Sequence, residues 1–351
     1  MTAASAHLAR IGGASRPTGS EAIADARRYC TGVLQDRGFV VTEVPFEYSQ
    51  FPGRWATPAA GVAIPAVASA IAALRGRFEA WPWVALILAL GGAGAAVWIA
   101  RRGVLDLPFA RARGVNLQAT RGEPAVWLVA HLDSKWQPVS MLMRVAGVVI
   151  VALSLFALLI ALALGARSVN GILTTLWVGS IPLMLSVVGA RNLGTLDNAS
   201  GVAAVLEAAE RLPDDAPVGV LITDAEELAL AGAAAWARGR APGIAINCDS
   251  VDDDGALVAM YTGTVPAEVI SAIDRAALRD GADLRVLRLI PGILTDSVVL
   301  DRAGWRTVTL SRGTMRTLSR IHTSRDSLST MDGRGIAGAA RLLAQTTLEL
   351  R

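Results

Sequence analysis

Four long apolar stretches without a charged residue constrain the fold of this 351-residue chain most strongly. They cover residues 57–74, 80–100, 145–166 and 171–190. The last three run for about 20 residues, which lets a helix cross a hydrocarbon core of about 30 Å. The first holds Pro58 and Pro65, and a buried core helix is the alternative there. Because short linkers join the stretches in pairs, we expect two transmembrane hairpins, at residues 56–100 and 145–190.

The distribution of cations predicts how these hairpins are oriented. Two hairpins that each cross and return leave every polar segment on one side of the membrane. The cations flanking that side are Arg54, Arg101, Arg102, Arg111, Arg113, Lys135, Arg144 and Arg191, against Arg75, Arg77 and Arg167 in the opposite loops. By the positive-inside rule, we expect an integral, multi-pass protein whose polar domain is cytoplasmic. The unpaired spacing of Cys30 and Cys248 and the lack of an apolar signal-peptide core at the N-terminus agree with this expectation.

The polar remainder, residues 1–55, 101–144 and 191–351, predicts a single α/β domain. Short apolar segments such as AVWLVAH and GIAINCDS alternate with helical patterns such as SGVAAVLEAAERL. This alternation predicts a three-layer fold with a mostly parallel sheet covered by helices on both faces. Ligands bind such sheets beyond the carboxyl ends of the strands. No basic stripe alternates with aromatic residues, so we expect no nucleic-acid partner.

Histidines and acidic residues cluster where these strands end. They are His131 and Asp133 in HLD, Asp197 in LDNASG, Glu226 and Glu227 in DAEEL, Asp249 in NCDS, and His322 in IHTSRDSL. Each is a weak signal alone, but two of the three histidines in the chain fall at such junctions, each close to an aspartate. Imidazole and carboxylate ligands suit zinc, and a usual catalytic zinc has three protein ligands. The larger number here predicts two metals that share a ligand.

The order and wording of these motifs resemble the M28 family of zinc exopeptidases, and the resemblance covers the chain except its apolar stretches. It implies the family's zinc-exopeptidase (phosphorylase/hydrolase-like) fold and two co-catalytic Zn²⁺ ions. By this resemblance, His131 and Asp249 would bind one zinc ion, and Glu227 and His322 the other. Asp197 would bridge the two ions.

The resemblance also implies roles for residues beside the metals. Glu226 corresponds to the family's general base, which acts on a water that bridges the metals. Asp133 is expected to accept a hydrogen bond from the far nitrogen of His131, and Asp326 to play a similar part near His322. The segment NASG after Asp197 is expected to shape the turn into the next helix. Ala229 stands where the family often has glycine.

We therefore expect a membrane-integrated aminopeptidase that acts on peptides with a free N-terminus. A carboxypeptidase is one alternative, in which Arg312, Arg316 or Arg320 would hold a substrate carboxylate. Glutaminyl-cyclase-like activity is a second alternative, and a non-catalytic membrane receptor or scaffold that keeps the fold is a third. Because the second hairpin separates the HLD strand from the DNASG turn, we expect the active site to lie near the membrane surface.

Overall fold

The computed structural model describes residues 3–74, 107–289 and 293–351, together with the single residues Ile87 and Gly91. The predicted second span, residues 80–100, therefore lies outside the described residues except at those two positions. Four of the arginines used to predict the orientation, at positions 75, 77, 101 and 102, also lie outside them.

An eight-stranded mixed sheet forms the centre of the fold, in the order β1-β2-β4-β3-β5-β8-β6-β7. Its strands are β1 (Val40–Ser49), β2 (Arg111–Arg121), β3 (Val126–His131), β4 (Val218–Thr223), β5 (Ile244–Val251), β6 (Ala256–Tyr261), β7 (Leu284–Arg288) and β8 (Arg306–Gly313). The four central strands β4, β3, β5 and β8 are parallel, as expected. Antiparallel pairs join β1 to β2, β2 to β4 and β6 to β8. The prediction of a mostly parallel sheet is thus correct for the centre of a sheet that is mixed as a whole.

Strand β2 is absent from the sequence prediction because its sequence, RARGVNLQATR, lacks a continuous apolar run. Its polar side chains instead contact the neighbouring elements. The amide of Asn116 donates to the carbonyl of Gly232 at 2.9 Å and accepts from the backbone N–H of Asp224 at 3.0 Å. Gln118 accepts from the indole N–H of Trp236 at 2.8 Å. These contacts position β2 against β4, the strand that leads to the site.

Helices cover both faces of the sheet. The larger core lies between the sheet and α1 (Ala3–Ile11), α2 (Glu21–Gln35), α6 (Ser200–Arg211), α8 (Ala267–Asp280) and α11 (Arg334–Glu349). The smaller core on the opposite face involves α7 (Ala231–Ala237) and α9 (Asp296–Arg302). Alternate residues of β3 point into the two cores, with Leu128 in the larger one and Trp127 and Val129 in the smaller one. This alternation produces the predicted three layers.

Three apolar helices pack together beside this domain: α3 (Thr57–Ala73), α4 (Met141–Ala163) and α5 (Asn170–Met184). A π-helical turn, Pro52–Ala56, leads into α3. By length and composition alone, Pro52–Ala73 and Met141–Ala163 could each cross a membrane. Helix α5 is shorter than the predicted stretch 171–190, because the chain leaves the helix after Met184, two residues beyond Pro182. Insertion of these helices as two transmembrane hairpins stays a prediction.

Helices α4 and α5 form a hairpin whose ends return to the α/β domain. Trp136, before α4, pairs with Gly189, after α5, through two backbone hydrogen bonds of 3.1 and 2.8 Å. Glycines allow close contact between the helices, since a Cβ on Gly179 would lie 2.3 Å from Cγ2 of Ile150. Such contacts through small residues are typical of membrane helices. The outer face of α4 is apolar, and Leu153 and Phe156 there are 63% and 64% exposed.

Candidate metal centre

The predicted site residues come together at the carboxyl ends of the central strands. His131 ends β3, Glu226 and Glu227 follow β4, and Asp249 lies in β5. All seven residues predicted as ligands or catalytic groups are buried. They form two groups that could hold a metal ion, His131 with Glu226 and Asp249, and Asp197 with Glu227 and His322, and the candidate ligand atoms within each group lie within 4.8 Å of one another. The sequence therefore identifies a set of residues that the fold collects in one place.

Asp197 lies between the two histidines. Its Oδ1 is 3.1 Å from Nε2 of His131, and its Oδ2 is 3.2 Å from Nε2 of His322. Burial acts to raise the pKa of Asp197, but the two imidazoles outweigh burial and lower it. One carboxylate oxygen faces each histidine, which is the geometry needed for a ligand shared between two metal ions.

The donor set fits divalent metal ions. In the parts of the chain that the structure describes, Nδ1 of His322 and Oε1 of Glu227 are buried without a hydrogen-bond partner. Buried polar atoms are normally satisfied, so unpartnered atoms in a cluster of carboxylates and imidazoles indicate a binding place for a cation. Glu226, the predicted base, is grouped with His131 and Asp249, while Asp197, the predicted bridge, is grouped with Glu227 and His322.

The carboxylate of Asp133 contacts the backbone of the glutamate pair more closely than it contacts His131. Nδ1 of His131 donates to the backbone carbonyl of Asp133 at 3.1 Å, and the Asp133 carboxylate is farther away, at 3.6 Å. That carboxylate instead accepts the backbone N–H groups of Glu226 and Glu227, both at 3.1 Å. With its proton on Nδ1, His131 would present the lone pair of Nε2 to a metal ion. The carboxylate of Asp133 positions the glutamate pair.

Asp326 likewise acts on the backbone and not on His322, as a correction to the sequence prediction. It accepts the N–H of Leu196 at 2.5 Å and that of Asp197 at 3.2 Å. Burial raises its pKa to about 6. The turn at Asp197 is also held by Asn198, whose amide oxygen accepts the N–H of Gly201 at 2.9 Å and of Ser250 at 3.1 Å. The expectation that NASG shapes this turn is confirmed, and Asn198 also joins it to the end of β5.

Two residues of the site are not identified by sequence analysis. Lys135 enters there only as a membrane-flanking cation, yet its Nζ is 2.6 Å from Oε2 of Glu227. Burial alone would raise the pKa of Glu227, but Lys135 and then His322 lower it to about 2. Asp296, at the start of α9, looks like an ordinary helix-start residue in the sequence. It is fully buried, accepts a hydrogen bond from Thr223, and has a pKa that burial raises to about 7.

A cavity of about 420 Å³ opens over the candidate metal-binding residues. One wall consists of the first turns of the apolar helices and contains Pro52, Gly53, Thr57, Met141 and Arg144. The lining contributed by the α/β domain includes an apolar set, Val258, Met260, Leu287, Leu294, Met315 and Leu318. The π-helical turn lies directly against the glutamate loop, since a Cβ on Gly53 would be 2.4 Å from Cα of Leu228. The cavity thus lies where the apolar helices join the α/β domain.

Comparison with known proteins agrees with this geometry. The sequence matches peptidase family M28 over residues 115–347. An aminopeptidase from Aneurinibacillus sp. strain AM-1 has a similar structure, with a TM-score of 0.58 and 14% identity over 98% of this chain and 92% of that one. BSAP, a zinc aminopeptidase from Bacillus subtilis, has a TM-score of 0.58 and 13% identity over 99% of this chain and 94% of that one. A glutaminyl cyclase from Bacteroides thetaiotaomicron has a TM-score of 0.54 and 15% identity over 99% of this chain and 96% of that one. No curated protein sequence matches the chain.

Proposed function

Since the chain belongs to peptidase family M28, we propose that it is a membrane-integrated aminopeptidase that works with two zinc ions. The predicted enzyme class, a zinc-dependent metallo-exopeptidase, is confirmed by that membership and by the zinc aminopeptidase fold. The observation that carries the proposal is the position of Asp197, with one carboxylate oxygen toward each histidine. His131, Asp249, Glu227 and His322 would complete the two zinc sites.

Zinc ions held there would polarise the carbonyl of the peptide bond and make a water in the site more acidic. Glu226 is the residue of this chain best placed to accept the proton from that water and deliver it to the leaving amine. Burial raises its pKa well above the usual value; His131 opposes this, while Glu227 and Asp249 add to it. A carboxyl group with a raised pKa is suited to both receiving and returning a proton.

Digestion of peptides with free and acetylated N-termini tests the aminopeptidase proposal. The zinc-loaded protein should release residues one at a time from free N-termini and leave acetylated peptides intact. Equal cleavage of both sets would contradict the proposal.

Metal analysis tests the proposal of two zinc ions. Purified protein should bind two zinc ions per chain, and Asp197→Asn should weaken both sites because each holds one of its oxygens. One zinc ion in the wild type, or full occupancy in the variant, would contradict the shared ligand.

Glutaminyl-cyclase-like activity is the second candidate, because glutaminyl cyclases are among the proteins of similar structure. Release of ammonia from peptides that begin with glutamine would distinguish it from aminopeptidase activity. The arginines predicted to hold a substrate carboxylate in a carboxypeptidase do not support that alternative. Arg312, Arg316 and Arg320 do not line the cavity, and Arg320 pairs with Asp252. A buried donor set with Glu226 beside it gives no support to a non-catalytic receptor.

Membrane integration is supported by the two helices long enough to span, by the close glycine contacts and by the exposed apolar face of α4. In this arrangement the lipid bilayer surrounds α3, α4 and α5, and the catalytic domain lies on the cytoplasmic side. Two of the cations counted for this orientation, Lys135 and Arg144, lie in the catalytic site. The excess of cations on the cytoplasmic side is therefore smaller by two.

A further inference from the structure

Arg144 lies in the wall of the catalytic cavity, in the first turn of α4. Its guanidinium has only neutral hydrogen-bond partners: Nη1 is 3.5 Å from Oε1 of Gln137, and Nη2 is 2.8 Å from Sδ of Met141. Within the described ranges, no carboxylate forms an ion pair with it. A positive charge therefore borders the cavity without a counterion in direct contact among those residues.

The charge of Arg144 does not stabilise its own helix. The N-terminus of a helix carries the positive end of the helix dipole, where a cation is unfavourable. The cap of α4 is already supplied by Ser140, whose hydroxyl accepts the backbone N–H of Met143 at 3.3 Å. The carboxylates of Glu227, Asp197 and Glu226 attract the guanidinium from a distance. Since none of them pairs with it directly, its hydrogen-bonding edge can accept an anion in the cavity.

The neighbours of Arg144 place its guanidinium beside the candidate metal ligands. Gln137, which contacts the guanidinium, donates its backbone N–H to the carbonyl of His322 at 2.8 Å. Its side-chain amide donates to the carbonyl of Ser186 at 3.0 Å, which fixes the side chain. A group bound by Arg144 would therefore lie close to the group formed by Asp197, Glu227 and His322.

We propose that Arg144 binds the C-terminal carboxylate of the substrate, so that the enzyme acts on short peptides with apolar side chains. This inference rests on the proposed function. The planar guanidinium matches a carboxylate with two parallel hydrogen bonds. Only a short peptide can place its amide at the metal ligands and its carboxylate at Arg144, and a cavity of about 420 Å³ suits one. The apolar lining residues would receive its side chains.

Arg316 provides a matched control for Arg144. It is exposed, lies outside the cavity, and is one of the arginines that the sequence suggests for holding a substrate carboxylate. Arg312 is less suitable, because its Nε donates to the carbonyl of Gly255 at 2.9 Å.

The test compares hydrolysis of leucyl-leucine and leucyl-leucinamide by the zinc-loaded protein in nanodiscs of zwitterionic lipid. The wild type should prefer the free carboxylate by about 10- to 100-fold in kcat/KM, mainly through KM, since a charged hydrogen-bonded pair is lost in the amide. Arg144→Gln should reduce this preference to about threefold or less. Arg144→Lys should keep an intermediate preference for the free carboxylate, because lysine retains the charge but cannot form the two parallel hydrogen bonds of a guanidinium. Arg316→Gln should behave as the wild type.

Equal turnover of the two substrates by the wild type, an equal loss on both in Arg144→Gln, or loss of the preference in Arg316→Gln would each overturn the inference. If neither substrate is hydrolysed, the proposed function fails, and calorimetric binding of the same two compounds then tests Arg144 by itself. Equal Kd values for acid and amide would overturn it. Loss of the preference in nanodiscs containing phosphatidylglycerol would assign the guanidinium to lipid phosphate instead.

Discussion

At the residue scale, Glu226 and Glu227 are neighbours in the chain but face different groups of the centre. We expect Glu226→Gln to keep its zinc while turnover falls by about 10²- to 10⁴-fold, because the amide cannot accept the proton. Glu227→Gln should instead lose zinc, since one oxygen of a ligand becomes an amide nitrogen. Elemental analysis and kcat on the same preparations check both results. The opposite pattern would mean that base and ligand are exchanged.

The backbone at Ala229, also at the residue scale, has a left-handed φ of +82°. Such a φ is unfavourable for residues with a Cβ and easy for glycine, which explains why glycine is frequent here in the family that the sequence resembles. We expect Ala229→Gly to raise the free energy of unfolding by about 1 kcal/mol, measured as a higher Tm. Ala24→Gly, within α2, is the control and should lower it.

At the scale of elements, the turn before α3 contacts the glutamate loop where Gly53 meets Leu228. A methyl group at Gly53 would lie 2.4 Å from the Cα of Leu228, so the backbone of one element must move. We expect Gly53→Ala to lower kcat/KM by about tenfold or more, because displacement of catalytic groups by even about 1 Å is costly.

Gly171→Ala is the control for this contact, since a Cβ there has no neighbour within 4 Å. It should leave peptide hydrolysis unchanged. Normal kinetics in Gly53→Ala would show that the start of α3 and the glutamate loop can separate without affecting the site.

At the scale of the whole molecule, the α4–α5 hairpin leaves the catalytic domain and returns to it at the pair Trp136 and Gly189. We expect reporter fusions after Arg351 and within residues 101–121 to report the cytoplasm. Insertions at residues 77 and 168 should report the opposite side. If the C-terminal fusion reports the far side, the orientation is reversed and the substrates are external peptides. If residues 77 and 101 report the same side, the second span does not cross.

Much of the fold and of the site can be predicted from the sequence, because the signals are local. Buried parallel strands are continuous apolar runs, and polar residues stand at their carboxyl ends, as at His131 and Asp249. Strand β2 is missed because polar side chains bonded to distant residues hold it in place, as Asn116 is bonded to Gly232. The length of α5 is overestimated because composition does not show where a helix ends.

The candidate donor set, the α/β class and the apolar stretches can be read from the sequence alone, because each depends on residue type and spacing along the chain. What each charged group faces is fixed by the tertiary structure. It placed the carboxylate of Asp133 on the glutamate backbone, Lys135 on Glu227 and Arg144 at the cavity. These outcomes depend on contacts between side chains and on backbone turns far apart in the chain. Sequence pattern could count Lys135 and Arg144 as surface cations, but burial beside carboxylates or a cavity is a property of the folded molecule.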